Sequence, residues 1–214
     1  MRTLQTITAI TVQKRQADRV NIFLDGKFAF GLAAEAAAGL QPGDILDEEA
    51  ISSLQDEEAF QRAKSSALRL ISYRPRSSAE VRRRLQRKKC DEEVADRVIS
   101  HLQELQLLDD AAFVEYWLEQ RETFKPRGRF ALRQELREKG IERTLIEQAL
   151  EGLDEEEMAR RAVAKRGYRW ADLPKDAYDQ KMGRYLQRLG FGYQTVREAI
   201  AASWDEINQD NSPE

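Results

Sequence analysis

One cysteine, Cys90, and one histidine, His101, are all the soft metal-ligand chemistry in the 214 residues. A lone thiol closes no internal disulfide and builds no clustered thiolate site, so zinc, haem and iron–sulfur chemistry have little to work with. No cofactor and no metal are expected. Long apolar runs are missing too. Met1 to Ile10 alternates polar and apolar residues, which is neither a signal peptide nor a membrane span. A soluble, cytoplasmic protein with no membrane partner is the expectation. Net charge is only −3, so an argument for a polyanionic partner has to rest on local clustering. The glycines form no phosphate-loop pattern.

What is present is a chain 41% hydrophobic and 34% charged, enough for a core with long solvated helices around it. Up to about Leu32 the pattern is β. Ile7, Ala9 and Thr11 alternate with Thr8, Ile10 and Val12, while Val20, Ile22 and Leu24 alternate with Asn21 and Phe23. Asp25-Gly26 then separates that run from Lys27–Phe30, a two-residue hairpin signal. A looser turn near Gln16 to Asp18 would join the first two strands. Three short strands need a cover, expected from the Ala-rich stretch 33–38 and a helix from about Asp47 to Leu54.

From Asp56 onward helical periodicity takes over. Ser77 with Glu80, and Asp154 with Glu157, are spaced as capping boxes, and Asp91, Asp109 and Asp172 sit where N-caps would. The acidic runs 47–49, 56–58 and 154–157 suit helix N-termini, where carboxylates favour the dipole. A metal or general-acid role would need carboxylates converging from separate elements, which the spacing does not show. Gly140 and Gly190 follow basic-apolar helix ends, as left-handed C′ glycines do. Cys90, His101, Phe113, Tyr116 and Trp117 read as packing residues.

The chain also repeats itself. Tyr73-Arg74-Pro75-Arg76-Ser77 returns 51 residues later as Phe124-Lys125-Pro126-Arg127-Gly128. The skeleton Val81, Leu85, Cys90, Val94, Val98, Ile99 returns as Leu132, Leu136, Ile141, Leu145, Ala149, Leu150. A third copy has Met182, Leu186, Phe191, Ala199 and Ile200, with its basic-Pro-Arg opening degraded around Pro174-Lys175. Tandem units of this length imply stacked helices and an extended, curved body. Each unit reads as a leading helix followed by a helix–tight turn–helix pair. The expected fold is therefore mainly α: three tandem three-helix repeats at 56–108, 109–153 and 154–207. A small β-containing extension at 1–55 precedes them and a disordered tail at 208–214 follows.

Between Arg62 and Lys89 stand eleven basic residues and one acid, Glu80. Helical geometry puts Val81 and Leu85 on the core side, Arg83 and Arg87 nearly opposite, and Arg82 and Arg84 on the flanks. A solvated face whose stems shield the core is the plainer explanation of a charge run. The scarcity of acids, arginine over lysine, and a proline fixing the Arg74–Arg76 turn favour a polyanion, either phosphate backbone or an acidic protein face. The candidate contact residues are Arg74, Arg76, Arg82, Arg83, Arg84, Arg87, Lys88 and Lys89. In the thinner second copy they are Lys125, Arg127, Arg129, Arg133 and Arg137. The second helices of the pairs open with Asp91-Glu92-Glu93 and with Glu142, which phosphates repel, so base-specific major-groove reading is not expected.

At these residues the chain resembles the RecX family. Tyr73-Arg74-Pro75-Arg76-Ser77, leading to Glu80 and Leu85, is similar to that family's first-repeat signature. Leu107 to Phe113, with Asp109, resembles its inter-repeat junction. Lys125-Pro126-Arg127-Gly128, with Leu132, Leu136, Lys139 and Gly140, resembles its second-repeat signature, and Leu186 through Gly190-Phe191 to Val196 the third. The stretch from Val20 to Leu32 resembles the β extension of longer members. The resemblance implies a non-enzymatic regulator that binds the RecA–single-stranded-DNA filament along its groove and inhibits ATPase, strand exchange and co-protease activity. It would thereby restrain recombination and the SOS response in DNA repair. It also implies binding to single- and double-stranded DNA without sequence preference, and a monomer is expected. The alternatives are a DNA-binding protein acting without RecA and, more distantly, a nuclease using clustered acids.

Overall fold

The computed structural model describes residues 4–14 and 16–210, with side chains placed as far as residue 206. The N-terminal stretch is a sheet of four antiparallel strands, β1 (Leu4–Gln13), β2 (Gln16–Leu24), β3 (Lys27–Ala33) and β4 (Ile45–Asp47), in the order β3-β2-β1-β4. The Asp25-Gly26 turn is as the sequence reads. Leu24 pairs with Lys27, and both turn residues have positive φ, 48° and 79°, the mirror-image turn whose twist matches the strands. The Asp25 carboxylate adds a bond from the Thr6 N–H at 3.0 Å.

Three β-region readings are corrected. The first turn is earlier and tighter than Gln16 to Asp18, because Gln13 already pairs with Gln16. The fourth strand is only three residues long, too short to leave an alternation signal, yet it pairs Leu4 with Asp47 and Thr6 with Ile45. The Ala-rich stretch forms turns rather than a covering helix. Its first residues are drawn into the sheet, where Ala33 N–H reaches Glu58 at 3.0 Å and Ala34 N–H reaches the Asp18 carbonyl at 2.8 Å. What is left is too short to repay helix nucleation.

The helix expected at 47–54 and the leading helix expected from Glu57 are one element, α1 (Glu48–Ile71). Asp47 caps it, accepting from the Ala50 N–H at 2.9 Å. No glycine or proline interrupts 48–71, so Asp56-Glu57-Glu58 lies mid-helix rather than at an N-terminus. The helix passes the 55/56 division unbroken. Its inner residues Ala50, Ile51 and Leu54 pack on the sheet's core of Ile7, Val20, Ile22, Leu24, Phe30 and Leu32.

Then follow α2 (Ser78–Arg87), α3 (Glu92–Glu104), α4 (Asp110–Phe124), α5 (Arg129–Glu138), α6 (Arg143–Glu151) and α7 (Glu155–Ala164). A single 3₁₀ turn at Gly167–Arg169, then α8 (Lys175–Arg188) and α9 (Tyr193–Asp210), complete the order. Asp91, Asp109 and Asp154 cap α3, α4 and α7 as expected. Asp172 does not cap α8, whose N-cap is Pro174. Residues 208–210 of the expected tail are helical, and 211–214, with Pro213, lie outside the described residues.

The fold class read from the repeats is the one the chain adopts. Each pair closes through the same six-residue device. Lys89 N–H reaches the Gln86 carbonyl and Cys90 N–H the Leu85 carbonyl; Gly140 and Ile141 do the same to Arg137 and Leu136, and Gly190 and Phe191 to Gln187 and Leu186. These are Schellman closures, each with an apolar residue folded back on the helix. They require a left-handed residue, and φ is 58° at Lys89, 78° at Gly140 and 85° at Gly190.

The chain falls into two compact units: Met1–Arg74 with Val81–Leu107, and Pro75–Glu80 with Leu108–Glu214. In the second, one continuous core runs through the second and third repeats. It includes Phe113, Leu132, Leu136, Ile146, Met158, Tyr178, Met182 and Leu186.

Candidate partner-binding surface

The helix α2 starts in a clamp. Ser77 and Glu80 form a reciprocal capping box, the Ser77 N–H reaching Glu80 at 3.4 Å and the Glu80 N–H reaching Ser77 Oγ at 3.2 Å. Ser77 is fully buried. Its hydroxyl donates to the Lys139 carbonyl at 2.6 Å, and the Ser78 N–H is taken by Asp110 at 2.7 Å. Glu80 also faces Lys139 Nζ at 3.1 Å and Arg76 at 3.6 Å.

The second copy repeats the arrangement one unit on. Gly128 N–H reaches the Leu189 carbonyl at 2.9 Å and Phe130 N–H the Gly190 carbonyl at 3.2 Å. The Arg129 N–H is taken by Glu155 at 2.7 Å. In both cases the turn of one repeat docks on the helix start of the repeat before it, and an acid from the next leading helix satisfies an orphan N–H. The motif residues Ser77, Glu80, Gly128, Gly140 and Gly190 therefore serve as staples between repeats, whereas Asp109 caps α4 within its own repeat, accepting from the Ala111 and Ala112 N–H groups. Leu85, Phe113, Leu136 and Pro126 are buried. Sequence reading missed this role, although the small residues at 77 and 128 and at 140 and 190 recur at the repeat offset.

The third opening is built differently. α8 begins one residue after Pro174, whereas α2 and α5 begin three residues after theirs. The additional first turn carries Tyr178 into the core. There its hydroxyl meets Ser203 Oγ at 2.7 Å, and burial raises its pKa above the usual tyrosine value.

The candidate cations divide into two sets. Arg127 faces Glu135 at 3.5 Å. Arg129 donates to the carbonyls of Leu150 and Leu153, both at 2.6 Å, closing the end of α6. Arg133 holds Glu147 bidentately at 2.8 and 2.7 Å, a bond that lowers the Glu147 pKa and raises that of Arg133. Arg82 is paired with Asp96, and Arg76 is half-buried beside Glu80. Half-buried Arg84 keeps its Nε out of solvent without a hydrogen-bond partner. Arg74 is half-buried as well.

The second set is exposed: Arg83, Arg87, Lys88 and Lys89 at the end of α2, with Lys125 and Arg137 in the second copy. Val81 and Leu85, at 0% and 1% exposure, turn the opposite face of α2 inward, as the 100° geometry requires. Tyr73, ahead of this helix, is 79% exposed.

Of the packing residues, His101 meets the Phe60 ring edge-on at 5.6 Å. Trp117 stacks on Phe113, donates to Glu135 at 2.9 Å and carries Arg121 and Lys139 over its ring. Cys90 is half-buried, and burial, with Asp91 beside it, raises its pKa. Among the described residues no group of His, Cys, Asp and Glu is placed to hold a metal ion. No helix there is long and apolar enough to cross a membrane.

Tandem helix triplets that follow a small antiparallel sheet in the sequence place the chain among tandem helical-repeat proteins. Comparison with known proteins narrows the class. In chain order, the family model for the regulatory protein RecX N-terminal domain matches residues 5–47, and those for the first, second and third RecX three-helix domains match 63–102, 109–150 and 154–200. A regulatory protein RecX from Halalkalibacterium halodurans is 33% identical over 209 residues, covering 91% of this chain and 77% of its own. One from Clostridium botulinum (strain Alaska E43 / Type E3) is 29% identical over 201 residues, 91% and 94% of the two chains. A crystal structure of a regulatory protein RecX superposes with a TM-score of 0.69 at 29% identity, over 92% of this chain and 99% of that one. The chain belongs to the RecX family of regulatory proteins.

Proposed function

We propose that the chain regulates the RecA recombinase by binding its filament on DNA, and that it acts by occupancy rather than by chemistry of its own. The observation that supports this reading best is the end of α2. Val81 and Leu85 anchor one face while Arg83, Arg87, Lys88 and Lys89 stand exposed on a chain of small net charge. Such a ridge suits DNA phosphates or an acidic RecA face. Lys125 and Arg137 are the exposed candidates of the second copy. Contacts to neighbouring RecA protomers would favour one filament state and oppose the motions that ATP turnover requires. On this reading the regulator works as a monomer in the cytoplasm.

The test is RecA ATPase on single-stranded DNA with the protein added below stoichiometry. Inhibition is expected, and Arg83→Glu/Arg87→Glu should relieve it at an unchanged melting temperature, since both side chains are exposed. A folded double variant that inhibits fully refutes the assignment. Turnover untouched by the parent protein at every dose refutes the function. Gel shifts over a salt series separate the rival reading, sequence-independent DNA binding without RecA, because phosphate contacts weaken steeply with salt.

A further inference from the structure

A second cationic feature lies within the first compact unit and meets the exposed α2 ridge only at Lys88 and Lys89. Between the sheet and α1 opens a cavity of about 610 Å³, walled by Gln13, Asp18 and Arg19 on one side and by Arg62, Ser66 and Arg69 on the other. Lys88 reaches its rim from the end of α2. Arg62, Ser66 and Arg69 fall at i, i+4 and i+7 and so line one helix face. Arg19 and Glu58 neutralise each other at 2.5 Å. That leaves Arg62, Arg69 and Lys88 against Asp18 among the charged groups of the wall. The side chains of Arg62, Arg69 and Lys88 make no ion pair or hydrogen bond among the described residues.

A second, independent observation concerns Ser66. Its Oγ is buried and has no hydrogen-bond partner, an exception that native structures rarely leave unfilled. The adjoining cavity, about 570 Å³, shares Arg62, Ser66 and Lys88 and adds Lys89, with Asp91 opposite. The Asp91 carboxylate is already engaged as the cap of α3, at 2.9 Å from the Glu93 N–H. Like charges gathered on one wall of a polar cavity repel one another unless an anion joins them. A hydroxyl donor beside guanidinium forks is the donor set that phosphate oxygens take.

We propose that this cavity is a binding site for a phosphate-bearing anion carrying at least two phosphate groups. Arg62 and Arg69 stand two helical turns apart, about 10 Å along the axis, which is more than one phosphate spans. Arg62 and Arg69 take the two ends, Lys88 neutralises the group at the rim, and Ser66 Oγ donates to an oxygen between them. A free polyphosphate and two successive phosphates of a nucleic-acid strand present the same chemistry. The site does not depend on the filament reading.

The experiment titrates the full chain at low salt with inorganic pyrophosphate and, separately, with a short oligothymidylate, followed by calorimetry and by melting temperature. Saturable pyrophosphate binding is expected. It should weaken at least tenfold in Arg62→Gln/Arg69→Gln and several-fold in Ser66→Ala. It should stay unchanged in Lys181→Gln/Arg184→Gln, which removes the same charge from exposed positions of the other unit. Parallel loss of oligonucleotide binding in the Arg62/Arg69 variant identifies strand phosphates as the source. Loss of pyrophosphate binding alone identifies a free polyphosphate. Absence of saturable binding for both probes, or equal weakening in the Lys181/Arg184 control, overturns the proposal. Circular dichroism of each variant confirms that it folds, and Ser66→Ala, which changes no charge, gives a second reading if the arginine variant does not. Pyrophosphate binding without any effect on RecA turnover would sink the functional proposal and leave the pocket standing.

Discussion

Replacing Gly140 by alanine tests the way repeats are joined. Two costs act together. At φ 78° a residue with a Cβ is strained by roughly 1–2 kcal/mol. The added carbon would also stand 2.3 Å from Ala79 Cβ, where carbon pairs prefer about 3.5–4.0 Å. The helix start at Ala79 is pinned by the capping box and by Ser77 and Ser78, so it cannot simply step aside. Overpacking of this kind costs about 1–3 kcal/mol. The expected loss is therefore roughly 2–5 kcal/mol, well above the left-handed penalty alone.

A double-mutant cycle separates the two costs. Ala79→Gly removes the carbon that is struck and should itself cost no more than about 1 kcal/mol. In its background Gly140→Ala should fall back to the strain term, leaving a coupling of roughly 1–3 kcal/mol. Urea unfolding followed by circular dichroism measures all four proteins. Gly26→Ala is the natural comparison, because φ there is 79° but nothing lies within 4 Å of the added carbon; it should show strain only. A loss below about 1 kcal/mol at Gly140, or a cycle additive within about 0.5 kcal/mol, refutes the docking of turn on helix start.

At Gly128 φ is an ordinary −76°, yet a Cβ would meet the Gly190 carbonyl oxygen at 2.1 Å; backbone cannot rotate away, so Gly128→Ala should lower the melting temperature markedly, and an unchanged value refutes the packing. Glu58, at 7% exposure, takes the Ala33 N–H and faces Arg19, so Glu58→Ala leaves a guanidinium and an amide unpaired and should cost about 3 kcal/mol by urea unfolding, while a loss under about 1 kcal/mol contradicts the buried pairing. Tyr178 gives a pH signature. Its folded pKa is raised, chiefly by burial, so the unfolded chain loses the proton first, and its contribution is intact below pH 10 and falls as pH rises beyond it. The stability difference between the parent and Tyr178→Phe should be flat to about pH 10 and shrink above it, and a difference that grows there reverses the argument.

Local rules carry the parts of the fold that the sequence displays. The Asp25-Gly26 turn, the Ser77–Glu80 box and the left-handed Gly140 and Gly190 each need only a few neighbouring residues, and each is legible. β4 is not, because three residues give no alternation and its partner lies about forty residues away. The continuity of α1 is hidden by Asp56-Glu57-Glu58, a run that looks like a helix start but serves tertiary pairs instead, Glu58 with Arg19 and Glu57 facing Arg97 at 4.0 Å. The same limit applies to the candidate site. Composition shows where arginines gather, but only the fold shows that Arg129 closes α6, that Arg133 holds Glu147 and that Arg83 and Arg87 are exposed.

The copies separate architecture from recognition. Where they agree, at 77 and 128, at 89, 140 and 190, and at 90, 141 and 191, the residues close turns or staple one repeat to the next. Where the first two differ, the difference is charge. Arg83, Arg84 and Arg87 stand where the second copy has Gln134, Glu135 and Glu138. Glu135 takes Trp117, Arg121 and Arg127 inside its own unit, so the second copy spends this face on itself. The first leaves Arg83 and Arg87 exposed. Turn closure keeps the same backbone geometry in each copy although the residues differ, Lys89 against Gly140 and Gly190 and Cys90 against Ile141 and Phe191, whereas contact with an external polyanion needs only one copy to face it. On the proposed reading the departure of the first repeat from the pattern of the second is what recognition requires, and α2 is where loss of charge should cost binding without costing fold.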